Sequence, residues 1–341
     1  MSHAPQSQEL AEFSQSIRDR SLNPLWERTV SQKPGTPCAP HLWRWSDLEP
    51  ELLKACELIG TKDADRRVLM LENPAMKGTS FSAQTIFTGV QIILPGEVAA
   101  AHRHTPNALR FVMKGEGAYT AVSGERTMMH PGDFIVTPNW SWHDHGNIGT
   151  EPVVWMDGLD SAFTKFFGTT FREDYPEDTQ PLYRAEGDSI AAFGSALLPL
   201  EFKAEGGASP LLVYPYARTR EALAHLQKSS PLHPAHGVKL RYANPATGKH
   251  PFPTMAAFMQ LLPKGFDGTA SRSTENAVFN VAEGSGAVTI AGHKFEFAPH
   301  DIFVAPSWCE VSFAAREECV IFSYSDRAAQ EAMGFFREDG A

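Results

Sequence analysis

Cysteine is scarce in the 341 residues. Cys38, Cys56, Cys309 and Cys319 form no CxxC pair, which argues against a zinc ribbon or a disulfide scaffold. They read as reduced packing residues. Positive charge is also in short supply, with 30 Lys and Arg against 40 Asp and Glu and a net charge of −10. That balance speaks against a nucleic-acid partner or an anionic-membrane patch, so an anionic partner must be small and met by local cations. No apolar run approaches the ~18 residues that span a bilayer. The opening MSHAPQSQELAEF lacks the basic and apolar segments of a secretory leader. A cytoplasmic protein with neither membrane nor nucleic-acid partners is expected. Core-forming material is present in ordinary amount, at 42% hydrophobic and 21% charged, which excludes disorder and coiled coil. The length suggests about two compact domains or one large one.

Residues 1–65 carry helical spacing at Leu10, Phe13 and Ile17 and again at Leu52, Leu53, Cys56 and Leu58, interrupted by a turn segment over Pro34–Pro40. This predicts an N-terminal helical arm. Over residues 66–170 the texture changes to short apolar runs between Gly, Pro and Asn, such as VLMLENP, TIFTGVQIILPGE and GDFIVTPNW. Such runs indicate strands of a sandwich or barrel. Residues 171–250 are polar and proline-rich and read as an interdomain segment with one helix near Thr219–Gln227. Strand texture returns over residues 251–341.

The two strand-rich regions are copies of one another. AHRHTPNALRFVMKGEG (Ala101–Gly117) and ASRSTENAVFNVAEGSG (Ala270–Gly286) align at a constant offset of 169. PGDFIVTPNW (Pro131–Trp140) and PHDIFVAPSW (Pro299–Trp308) align at 168. The copies differ at histidines: His102 and His104 become Ser271 and Ser273, and His143 falls opposite Val311. Whatever the histidines do, the second copy does not do it.

His102, His104, His130, His143 and His145 crowd one short window. In a strand, residues i and i+2 share a face, so His102 and His104 present two imidazoles to one side, and His143 and His145 repeat the spacing. Neutral imidazoles on adjacent strands form a transition-metal site. Arg110, an even step of six beyond His104, would share that face if the strand ran on. Its guanidinium suits a substrate carboxylate. His145 is placed to serve as acid or base, with Asp157 orienting it. Asn107 and Asn147 read as turn or strand-end structure, and the other eight histidines and His130 show no ligand-like grouping.

The spacing Gly96-x5-His102-x-His104-x3-Ala108-x6-Gly115, followed by Gly132-x5-Pro138-x-Trp140-x2-His143-x3-Asn147, resembles the two cupin motifs. The resemblance implies an all-β bicupin of two double-stranded β-helix (jelly-roll) domains, catalytic in the first, with His102, His104 and His143 as ligands of a divalent metal. Two departures stand out. Ala108 occupies the usual glutamate ligand position, and Trp140 replaces a glycine. A site of three histidines without a carboxylate favours a dianionic chelating substrate together with dioxygen.

With RRVLMLENP before it and WMDGLD after it, HRHTPNALRF is similar to the gentisate 1,2-dioxygenase family, which includes salicylate and 1-hydroxy-2-naphthoate dioxygenases. That likeness implies one Fe(II) per chain in the first cupin, ring cleavage of a small aromatic hydroxy acid by dioxygen, and a homotetramer. It also implies Arg66 beside Arg110 at the substrate carboxylate, Phe87 and Gln91 at the pocket, and His145 with Asp157 as the acid–base pair. Gentisate, giving maleylpyruvate, is the expected substrate. Salicylate and 1-hydroxy-2-naphthoate stay open, as do a non-catalytic metal-binding cupin and a zinc or manganese isomerase on the same fold.

Overall fold

The computed structural model describes residues 7–60, 66–195, 197–203 and 207–339, so residues 1–6 and 61–65 of the expected arm lie outside the described residues. The chain divides into two compact units at Gly35/Thr36. In the first, the helix Gln8–Arg18 is capped by Ser7, whose hydroxyl accepts the Leu10 N–H at 3.3 Å. Phe13 stacks on Trp26, and Arg18 pairs with Glu27.

The second unit is built from the expected pair of barrels. In the first barrel a six-stranded sheet runs in the order Val213–Tyr214, Phe134–Thr137, Ala108–Lys114, Val153–Leu159, Phe87–Ile93, Val68–Met70. The other sheet of this barrel runs Arg172–Asp174, Val98–His104, His143–Asn147, Ala118–Val122, Glu125–Met128. The second barrel repeats the arrangement with a six-stranded sheet from His41–Trp43 to Val238–Arg241 and a three-stranded sheet of His293–Phe297, Gly286–Ile290 and Val311–Ala315. The region expected to link the barrels therefore contributes an edge strand to each large sheet, Val213–Tyr214 to the first and Val238–Arg241 to the second. Among the described residues no helix is long and apolar enough to cross a membrane.

Alternation along the large sheets decides which side chains reach the barrel interior. Leu109, Phe111 and Met113 point away from the first barrel into a core shared with Met259, Val278, Val304 and Phe322 of the second. There Phe111 stacks on Phe322 at 4.3 Å, a contact worth about 0.5–1.5 kcal/mol beyond burial. The intervening residues face inward. Val112, Ile93 and Trp155 form the floor of the first barrel, and the same parity aims Gln91, Arg110 and Asp157 at its interior.

The repeat is exact enough to copy strained positions. Trp140 and Trp308 both adopt left-handed backbone, at φ 57° and 63°, where glycine is the usual occupant. Each is held by a backbone bond, Trp140 N–H to the His104 carbonyl at 2.8 Å and Trp308 N–H to the Ser273 carbonyl at 2.7 Å.

Candidate metal centre

His102 and His143 stand directly opposite one another on adjacent antiparallel strands, and His104 follows two residues along. Each ring is aimed by a backbone carbonyl on its Nδ1 side: Ala100 O at 3.0 Å for His102, Pro106 O at 2.8 Å for His104, and Ser141 O at 2.9 Å for His143. Nδ1 therefore carries the proton, which puts the lone pair of each ring on Nε2. The three ligand nitrogens lie within 4.8 Å of one another. His143 Nε2 is fully buried without a hydrogen-bond partner. Burial, and for His102 also the Arg66 cation, pushes His102 down to about 2 and His104 to about 4; burial likewise holds His143 well below its ordinary value. Three neutral imidazoles with lone pairs converging in a largely buried site are a donor set for a divalent transition metal. Among the described residues no other group of three His, Cys, Asp or Glu side chains converges in this way.

Cations surround this centre. The Arg66 guanidinium lies against both ring nitrogens of His102. Arg110, 2% exposed, donates to Thr137 Oγ1 at 2.5 Å and lies 3.4 Å from Asp157 Oδ1. The route by which Arg110 arrives differs from the expectation. His104 and Arg110 are not on one strand: the chain turns at residues 105–107 and crosses to the opposite sheet, and both side chains point inward because both sheets face the same interior.

The expected hydrogen bond from Asp157 to His145 is not formed. Asp157 is opposed in register by Arg110 and accepts the indole N–H of Trp155 at 3.1 Å. His145 instead meets Thr120 Oγ1 through Nδ1 at 3.0 Å, and its buried Nε2 has no partner. Burial holds the His145 imidazole well below its usual value and raises the Asp157 carboxyl, which Arg110 draws back down. Gln91, 3% exposed, sits between Val68 and Trp155 in register, and Phe87 at the strand start opposes Leu159.

Thr120, Thr137 and the segment Arg172–Asp174 escape sequence reasoning because their contacts cross between strands. That segment pairs with the ligand strand, Arg172 opposite His104 and Asp174 opposite His102. Outside the barrel Arg103 is clamped between the rings of Trp140 and Trp142, at 4.5 and 4.6 Å, and pairs with Glu173. This fixes the face of the strand that bears the ligands. Glycine inside the apolar strand Phe87–Ile93 is a signal that was readable: a Cβ on Gly89 would lie 2.5 Å from Val68 Cγ1.

The second barrel lacks these side chains position by position. Ser271 bridges Val311 where His102 faces His143. Phe279 opposes Ser323 where Arg110 opposes Asp157, and Phe313 stands in place of His145. Phe279 stacks on Phe303 at 4.8 Å, and Ser271, Ser273, Phe279, Val311 and Phe313 line a cavity of about 370 Å³ without histidine at these positions.

Residues 89–159 match the family model described as the cupin domain. The chain is 47% identical to gentisate 1,2 dioxygenase 1 of Aquipseudomonas alcaligenes over 97% of its own length and 96% of the relative. It is 35% identical to a gentisate 1,2-dioxygenase of a Streptomyces species over 96% and 94%. Among solved structures, salicylate 1,2-dioxygenase of Pseudoaminobacter salicylatoxidans in an adduct with gentisate superposes with a TM-score of 0.91 at 32% identity, covering 99% of this chain and 95% of that one.

Proposed function

The chain belongs to the gentisate 1,2-dioxygenase family, and from that premise we propose that it is an Fe(II)-dependent enzyme that opens the ring of gentisate with dioxygen to give maleylpyruvate. The observation that carries the reading is the set of three neutral, convergent imidazoles beside a buried arginine, with Ala108 in place of a carboxylate ligand. His102, His104 and His143 would hold iron(II), which when bound would bring ring and dioxygen together and supply the electron transfer between them. The bond broken joins the carboxyl-bearing and hydroxyl-bearing ring carbons, and both oxygen atoms of dioxygen enter the product.

The protein's own groups bind and orient. Arg110, preorganised by Thr137 and Asp157, and Arg66 at the His102 edge take the substrate carboxylate. His145 presents an unprotonated Nε2 into the buried site and takes the proton of the ring hydroxyl, while Thr120 holds its other nitrogen. Asp157 serves through Arg110. Phe87 packs on the ring and Gln91 offers its amide to a substrate oxygen.

In this reading catalysis belongs to residues 66–170, and residues 251–341 form a metal-free second cupin joined to it through residues 171–250. The enzyme works as a cytoplasmic homotetramer. The four free cysteines suit a reducing compartment, and Leu25 and Val30, 72% and 81% exposed on the N-terminal unit, suit burial against other copies.

The likeness to the salicylate enzyme makes specificity the point to test. Oxygen uptake by the anaerobically Fe(II)-loaded protein should match ring-opened product one to one with gentisate. Preferential uptake with salicylate or 1-hydroxy-2-naphthoate moves the enzyme to that substrate, and no uptake with any of the three leaves a metal-binding cupin.

A further inference from the structure

Each barrel carries an aspartate–asparagine clasp, and the internal repeat relates the two. Asp160 accepts both the backbone N–H and the side-chain amide of Asn107 at 2.8 Å. Asp326 accepts the same two groups of Asn276 at 2.9 and 3.1 Å. Each carboxylate also accepts a hydroxyl from the opposite barrel: Thr254 donates to Asp160, and Thr85 donates to Asp326 at 2.5 Å. Asn107 and Asn276 are 169 residues apart, as are Thr85 and Thr254. The barrels thus exchange one and the same bond. All four clasp residues are at most 5% exposed.

Only the first clasp leads to metal ligands. The peptide unit that offers the Asn107 N–H to Asp160 has the Pro106 carbonyl at its other end, and that carbonyl holds Nδ1 of His104 at 2.8 Å. Asn107 Oδ1 accepts the Asn139 N–H at 3.0 Å, pinning the loop whose Ser141 carbonyl holds Nδ1 of His143 at 2.9 Å. One carboxylate therefore fixes the two carbonyls that aim two of the three imidazoles. In the second barrel Asn276 Oδ1 accepts the Ser307 N–H at 3.1 Å, but Ser273 and Val311 stand where the imidazoles would be.

We propose that Thr254 of the second barrel, acting through Asp160 and Asn107, is a positioning residue for the metal ligands His104 and His143. The metal-free barrel is then a working part of the metal site. The inference rests on the metal reading of the three histidines. Without the Thr254 hydroxyl, Asp160 loses the donor that, among the described residues, reaches it from the other barrel, and it can rotate and turn the Pro106–Asn107 peptide with it. Partners that orient metal-ligating histidines are typically worth 10–100-fold in metal affinity.

The test compares two chemically matched variants in the full chain, using Co(II) titration in the absence of air and the melting temperature of the metal-free protein. Thr254→Val should weaken Co(II) binding about 10-fold, and Thr254→Ser should restore it. Thr85→Val removes the equivalent bond on the metal-free side, together with the one that Thr85 Oγ1 accepts from the Asn276 amide at 3.0 Å. It should lower the melting temperature at least as much while leaving Co(II) affinity within about two-fold. Should Thr254→Val fail to fold, Thr254→Cys, which keeps the volume and weakens the donor, takes its place. Unchanged affinity in the Thr254 variants overturns the proposal. Equal weakening by Thr85→Val does so too, because the effect would then be global. A wild-type chain that binds no Co(II) removes the metal reading itself, an outcome distinct from both.

Discussion

Arg110 and Asp157 face each other across neighbouring strands of the first barrel, 3.4 Å apart and almost fully enclosed. Breaking a buried pair from one side leaves a charge without compensation, at a cost of about 3–5 kcal/mol. Asp157→Leu should therefore destabilise the metal-free protein more than the double variant Arg110→Met/Asp157→Leu, in a denaturant-melt cycle. Arg110→Met alone should keep bound metal but raise KM for the aromatic acid strongly. Wild-type KM in that variant would remove Arg110 from the carboxylate clamp.

The ligands are predicted to reside in the first copy only, and substitutions test this directly. His102→Ala or His143→Ala should abolish metal retention and turnover together, whereas Ser271→Ala/Ser273→Ala should change neither. Metal content by elemental analysis decides it: near-stoichiometric metal in His143→Ala would take that residue out of the ligand set, and loss of metal in the serine variant would contradict a silent second barrel.

Local pattern carried much of this site. The i, i+2 spacing of His102 and His104 needs only an extended strand, and the offset of 169 residues made the duplication and the loss of ligands visible together. Arg110 was placed on the right side of the barrel by the wrong path, because parity within one strand cannot register the turn at residues 105–107. The partners of Asp157 and His145 were out of reach for a related reason. Arg110, Trp155 and Thr120 meet them through strand register, which sequence spacing does not encode. The same holds for Arg172–Asp174, whose polar residues gave no sign that they pair with the ligand strand.

Glycines in left-handed backbone offer a stability test on both barrels. Gly115, at φ 86°, would place a Cβ 2.1 Å from the Pro152 carbonyl oxygen, and Gly284, at φ 78°, would place one 2.1 Å from that of Glu318. Both contacts are to backbone, which cannot give way cheaply. Each Gly→Ala change should cost roughly 1–3 kcal/mol from strain alone, read as a lower denaturation midpoint. Equal losses at the two positions would show that the second barrel is held to the same geometry as the one that carries the three histidines.

Acid sensitivity follows from the neutral histidines. His104 titrates at about 4 in the folded chain, and burial holds His143 and His145 well below their ordinary 6.5. As pH falls through 6.5 the unfolded chain takes up protons that the folded chain refuses, so stability present above 6.5 is lost progressively toward the folded values. The slope is roughly 1.4 kcal/mol per pH unit for each histidine kept neutral. Buried carboxyls such as Asp157 and Asp160, whose values are raised, act in the opposite sense. The histidine share is therefore read as a difference: between pH 6 and 5 the metal-free His104→Gln variant should lose less stability than the wild type, by about one such increment. Parallel curves for the two proteins would mean that folding leaves His104 at its ordinary pKa, and that burial does not keep its imidazole neutral below pH 6.5.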